Sequence, residues 1–131
     1  YKGDSSNIIY RSLWELKLMK YLDSHSDVLR WASEEFAIPY KSPIDGRMHR
    51  YFPDFWVEKI NKNGAMEQVV IEVKPQKHID PPPTPKRKTR RYMGALARHA
   101  INQRKFEVAE EFCRKKGMKF QLITEKELNI R

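Results

Sequence analysis

The run Gln68-Val69-Val70-Ile71-Glu72-Val73-Lys74-Pro75 limits the fold more than any other stretch of this sequence. Its β-branched residues favour an extended backbone, because a branched Cβ packs well on a pleated surface and loses rotamers in a helix. Side chains alternate along a strand, so Glu72 and Lys74 share one face while Ile71 and Val73 take the other. The turn Asn61-Lys62-Asn63-Gly64 joins this strand to an extended stretch over Met48–Ile60. A second turn, Ser42-Pro43-Ile44-Asp45-Gly46, leads back to shorter extended runs at Val28–Ala32 and Glu35–Tyr40. Three consecutive antiparallel strands follow from this arrangement.

Helical spacing from Ser12 to His25, with Ser12 as N-cap, predicts a helix ahead of the strands. Behind them, Pro75 ends the apolar run. The four prolines of Asp80-Pro81-Pro82-Pro83-Thr84-Pro85 remove four backbone donors, which predicts a stiff, extended surface connector. Apolar positions from Tyr92 to Cys113 predict a long helix over Thr89–Lys116, kinked or divided at Gly94 and capped by Gly117. Phe120–Ile123 reads as a last strand and Glu125–Leu128 as a helical turn. A chain of 131 residues supports one core, so the expectation is a single α/β (α+β) domain over residues 1–131, with a mixed central sheet flanked by helices in the order αβββαβ. Its connector is 80–85 and its basic segment 86–119.

The chemistry lies where polar residues interrupt apolar strands. Phe52-Pro53-Asp54-Phe55-Trp56-Val57 sets an acid in an aromatic run, and a buried carboxylate needs a partner. If this strand pairs with the Glu72 strand, Asp54 and Glu72 converge with Lys74 alongside. Two convergent carboxylates make a hard-oxygen site suited to Mg2+, with Mn2+ able to substitute, and the backbone carbonyl of Val73 can complete the inner shell. Such an ion polarises a scissile phosphate and lowers the pKa of bound water, while Lys74 orients that water or stabilises developing charge. The competing reading is an internal ion-pair cluster among Asp54, Glu72 and Lys74. A Pro-Asp pair followed 18 residues later by Glu-x-Lys in a Val/Ile strand favours catalysis. Glu15 admits two readings. Ser12-x-x-Glu15 matches a capping box, and an acid on a helix ahead of the sheet can also serve as a third catalytic carboxylate and metal ligand.

The net charge of +9 sits wholly in residues 86–119, which carry twelve basic against three acidic side chains; the rest of the chain is balanced. A localised excess of this kind is the footprint of a polyanion site, since neutralising phosphates releases condensed counterions. Lys86, Arg87, Lys88, Arg90 and Arg91 follow the connector directly, and Arg98 and Lys105 continue along the helix; these are the expected contacts to double-stranded DNA. Arg47, His49 and Arg50 read equally as DNA contacts or as a polar hairpin rim. His25, His49, His78 and His99 lack metal-ligand spacing and read as surface or packing residues. Cys113, the single cysteine, excludes an internal disulfide and a cysteine-rich zinc site, and suits core packing in a reducing compartment. No run approaches the roughly 18 to 20 apolar residues of a membrane-spanning helix, so a soluble protein without a membrane partner is expected.

Tyr1-Lys2-Gly3-Asp4, Tyr10-Arg11-Ser12-x-Trp14-Glu15, Ile38-Pro39-Tyr40, Arg50-Tyr51-Phe52-x-Asp54, Ile71-Glu72-x-Lys74-Pro75, the proline connector and Lys119-Phe120-x-x-x-Thr124-Glu125 follow one another in this chain. That succession resembles the head-completion nucleases of T4-like tailed phages, PD-(D/E)XK proteins related to the endonuclease subunit of Tn7-type transposition. The resemblance implies a restriction-endonuclease-like core and catalytic positions at Glu15, Asp54, Glu72 and Lys74. It implies a protein that joins the head–tail neck after DNA packaging, in the virion and the host cytoplasm, with portal and neck proteins as partners. It also implies a polar residue on the helix after Glu-x-Lys, for which Asn102, Gln103 and Lys105 are candidates. Two alternatives share the fold: a structural neck protein that binds portal and DNA without needing catalysis, and a free-standing homing or repair endonuclease.

Overall fold

The computed structural model of the chain describes residues 13–34 and 36–127. Its elements are α1 (Leu13–Ser24), β1 (Val28–Ser33), β2 (Ile38–Lys41), β3 (Met48–Tyr51), β4 (Phe55–Ile60), β5 (Met66–Val73), α2 (Gln76–Ile79), α3 (Arg90–Lys116) and β6 (Lys119–Ile123). Strands β1, β4, β5 and β6 form a mixed sheet in that spatial order, while β2 and β3 form a separate two-stranded sheet. β4 runs antiparallel to β1 and β5, and β6 joins β5 in parallel after the crossover through α3. The elements of the larger sheet with α1 and α3 reproduce the expected order αβββαβ and the expected mixed sheet flanked by helices.

The expected strand Met48–Ile60 is in fact two strands in two sheets. Phe52, Pro53 and Asp54 lie outside both, because Pro53 has no N–H to give to a ladder. β3 therefore pairs with β2, β4 pairs with β1 and β5, and Asp54 sits at the junction rather than inside a strand. The three consecutive antiparallel strands are β1, β4 and β5, and the β2–β3 hairpin is an insertion between the first two. The short helix α2 was not foreseen; the side chain of Glu125, in the turn after β6, accepts from its Gln76 N–H at 3.0 Å.

Helix α3 is continuous through Gly94, whose cost of about 1 kcal/mol a helix of this length absorbs. Thr89 caps its start by accepting from the Tyr92 N–H at 3.1 Å, and Gly117 closes it at φ 71°. The Ser12 cap, the start of the strand expected from Glu35 and the end of the turn expected to Leu128 lie outside the described residues.

Alternation sorts the two faces of the larger sheet. Leu18, Met19 and Leu22 of α1 are buried with Trp31, Phe55, Val57, Val69, Ile71, Val73 and Ile123. On the other side α3 packs against β2 and β6, where Ile38, Tyr40, Tyr51 and Ala109 are buried. Glu72, between Ile71 and Val73, consequently points toward the α3 side and meets Tyr51 there. Cys113 is buried on α3, as core packing requires. Among the described residues no helix is long and apolar enough to cross a membrane.

Candidate active site

The β4–β5 register, with Phe55 opposite Ile71, brings Asp54 level with Glu72. Both acids are buried, at 6% and 5% exposure. The Asp54 carboxylate accepts from the Val73 N–H through Oδ2 at 2.8 Å. Glu72 Oε2 accepts from the Tyr51 hydroxyl at 2.8 Å and from the Asp54 N–H at 3.3 Å. Lys74 Nζ stands 3.8 Å from Glu72 Oε1, and its own backbone is held by an N–H bond of 2.9 Å to the Ile123 carbonyl of β6. The paired strands thus gather Asp54, Glu72 and Lys74 as alternation predicts.

Burial is the first reason that Glu72 holds its proton far above the usual carboxylate range; the nearby charge of Asp54 is the second, and Lys74 and the Tyr51 hydroxyl only partly oppose them. Burial, followed by the Glu72 charge, also drives the Tyr51 pKa upward, so its hydroxyl stays protonated and remains a donor. Tyr51 is the participant that the sequence reading missed. It was visible only as an aromatic three residues before the acid. α3 reaches the same place through Lys105, whose ammonium lies 5.6 Å from the Tyr51 ring centre and 5.8 Å from that of Tyr40.

The centre offers the hard oxygen donors of two buried carboxylates side by side, a donor set that fits a divalent cation of the Mg2+ type. Among the described residues no three His, Cys, Asp or Glu side chains gather into a metal-holding group. The structure therefore does not bring Glu15 together with Asp54 and Glu72 as the third ligand of such a group. Glu15 is buried in the first turn of α1, and α1 packs on the sheet face opposite Glu72.

A cleft of about 470 Å3 opens beside the centre, between the α2 segment and α3; Lys74, Lys77, Arg98, Asn102 and Lys105 are among its lining residues. Of the basic residues singled out from the sequence, Arg98 and Lys105 line it, while Lys86, Arg87, Lys88, Arg90 and Arg91 are exposed outside it. Asn102 also faces the cleft, whereas Gln103 donates to the Ile79 carbonyl at 3.2 Å. His99 meets the same carbonyl at 3.1 Å, and His49 stacks on Tyr40 and contacts Asp45. A larger hollow of about 890 Å3 beneath α1 contains neither Asp54 nor Glu72.

An acid pair where two strands of a mixed sheet meet, with a lysine beside it and helices on both faces, defines an endonuclease-type domain of the PD-(D/E)XK class. Within that class the chain belongs to the TnsA-like endonuclease N-terminal family, whose model matches residues 25–125. It is similar to the head completion nuclease of Enterobacteria phage T4, at 34% identity over 129 residues that cover 95% of this chain and 83% of the phage protein.

Proposed function

We propose that this chain is a Mg2+-dependent DNA endonuclease that acts in phage head completion, at the portal and neck after DNA packaging. The observation that carries the chemical half is the convergence of the buried Asp54 and Glu72, held side by side by the Val73 N–H, the Tyr51 hydroxyl and the Asp54 N–H, with Lys74 3.8 Å from Glu72. The biological half is supported by the phage T4 relative, which bears the name head completion nuclease and aligns with nearly the whole chain. The reading implies a protein of the virion neck and host cytoplasm that meets portal and neck proteins.

In this reading Asp54 and Glu72 are the side-chain ligands and the Val73 carbonyl is a third protein donor, with Mn2+ able to replace Mg2+. When bound, the ion polarises the scissile phosphate and acidifies a water molecule. The chain supplies orientation and charge. Val73 fixes Asp54, and Tyr51 with the Asp54 N–H fixes Glu72, so neither carboxylate has to reorganise during the reaction. Lys74 places an ammonium where negative charge develops on the phosphate. Arg98 and Lys105 in the cleft, and Lys86, Arg87, Lys88, Arg90 and Arg91 exposed outside it, are the cations on hand to neutralise the backbone of double-stranded DNA. Glu15, buried in the first turn of α1, stands outside the ligand pair.

Plasmid nicking in Mg2+ tests the reading. Asp54→Ala and Glu72→Ala are expected to cleave about a thousandfold more slowly, the scale of removing a preorganised group from a transition state. Equal cleavage by wild type and both variants sinks the catalytic assignment and leaves a structural neck protein. Cutting at one defined sequence, instead of scattered ends, would mark a homing or repair enzyme.

A further inference from the structure

We propose that the DNA strand entering the catalytic centre lies in the cleft between α2 and α3, its phosphates gripped by Lys77 on one wall and Arg98 on the other, rather than on the basic run Lys86–Arg91. The choice of DNA as the ligand rests on the nuclease reading; the choice of the cleft rests on four separate observations.

The cleft adjoins the centre through Lys74, 3.8 Å from Glu72, and through Lys105, over the Tyr51 ring, while Asp54 and Glu72 lie just outside its lining. Cations face each other across it, with Lys77 on α2 opposite Arg98 and Lys105 on α3. The carboxylate in its lining, Asp80, already accepts from Gln76 Nε2 at 3.1 Å. His78, in the same lining, has its pKa lowered first by burial and then by Lys77, Lys74 and Arg98, so the positive potential of three side chains converges on this space.

The third observation is spacing on α3. Arg98 and Lys105 stand seven residues apart, which places them along one stripe of the helix, with the polar Asn102 between them. At a rise of 1.5 Å per residue that step is about 10.5 Å. A nucleic-acid strand advances about 3.4 Å per nucleotide, so one step spans about three phosphates. The stripe ends where Lys105 overlies the ring of Tyr51, whose hydroxyl holds Glu72. A strand following the stripe therefore arrives at the acid pair.

The fourth is rigidity. His99 and Gln103 both bind the Ile79 carbonyl, which ties the end of α2 to α3 and fixes the separation of the two walls before any ligand arrives. Lys86, Arg87 and Lys88 lie in irregular backbone before α3 begins, whereas Lys77 and Arg98, equally exposed, stand on helices whose backbone is already fixed. Cations carried on fixed helices lose less backbone freedom on binding, so the cleft outcompetes the run per charge.

The test is fluorescence anisotropy of a labelled duplex with the full chain, without Mg2+, over a range of NaCl, together with single-turnover cleavage in Mg2+. Lys77→Ala/Arg98→Ala is expected to bind about tenfold or more weakly and to reduce the salt slope by about two, one per lost phosphate contact. Its KM rises while its rate at saturating DNA holds. Lys86→Ala/Arg87→Ala is expected to lose under about a third of that factor, and Lys20→Ala/Lys62→Ala, away from the cleft, nothing. A loss from the Lys86/Arg87 pair equal to or larger than that from the cleft pair overturns the proposal. Should the alanine pair melt early, Lys77→Gln/Arg98→Gln gives the same readout in a fold with longer side chains. A chain that binds DNA through the cleft but never cuts it removes the nuclease reading and leaves this inference standing. One that cuts DNA with an unaltered KM in the cleft pair removes only the inference.

Discussion

Two buried glutamates project from the same face of the larger sheet, at 6% exposure for Glu58 and 5% for Glu72, and they are held in opposite ways. Glu58 receives Arg30 in a forked pair at 3.1 and 3.0 Å and the Gln68 amide at 3.3 Å, all from its neighbours in register on β1 and β5. Glu72 receives a phenol and one backbone N–H on a single oxygen, its lysine stands off at 3.8 Å, and a second carboxylate lies beside it. Geometry at Glu58 closes the charge, as a structural ion pair must. At Glu72 burial and the neighbouring Asp54 outweigh the lysine and the phenol, and a buried acid perturbed in this way points to a functional site rather than to a staple.

The sharpest way to break this contrast is to remove the phenol. Tyr51→Phe deletes the donor to Glu72 without emptying the core, and groups that orient metal ligands are worth about 10- to 100-fold in metal affinity or rate. Cleavage measured against Mg2+ concentration should show that loss with little change in KM for DNA. Wild-type behaviour would mean that the hydroxyl merely packs.

The opposite end of the face should respond in stability alone. Glu58→Ala strands an arginine that is half exposed, so the cost is nearer to about 1–2 kcal/mol than to that of a fully buried pair. Urea unfolding measures it, and the cleavage rate at saturating Mg2+ should hold. A large drop in rate would show that Glu58 is no mere staple and that the two ends are not independent.

What the sequence made legible was decided by local periodicity. Alternation in Gln68–Lys74 placed Glu72 and Lys74 on one face, and a short turn at Asn61–Gly64 fixed the register that levels Asp54 with Glu72. The partner of a strand is a long-range property, and there the reading slipped. Met48–Tyr51 and Phe55–Ile60 look continuous by pattern, although Pro53 marks the break, so the hairpin across Ser42–Gly46 pairs as expected but stands in a sheet of its own. Tyr51 escaped because its role depends on that break, which turns β3 across the end of β5. The basic run was visible because charge is local. The cleft was not, since its second wall exists only when His99 and Gln103 draw Ile79 onto α3.

The smallest expected effect separates the two glutamates by the sign of their pH dependence. Glu72 has an ordinary pKa of 4.5 and is pushed up to about 8, chiefly by burial and then by Asp54. Between those values the folded chain keeps a proton that the unfolded chain releases, so this group's contribution to stability falls as pH rises through the window. It is fully unfavourable only above the upper value. Glu72→Gln has no proton to lose and escapes the penalty. In EDTA its melting temperature, relative to wild type, should therefore climb across the window to a gain of about a few degrees. Added Mg2+ should shrink the gain by restoring the missing positive charge to the wild type alone. Glu58→Gln should lower the melting temperature instead, because it weakens bonds assisted by charge. A pH-independent difference for Glu72→Gln would mean that this carboxylate is as well balanced as Glu58, and the distinction between the two ends of the sheet would fall.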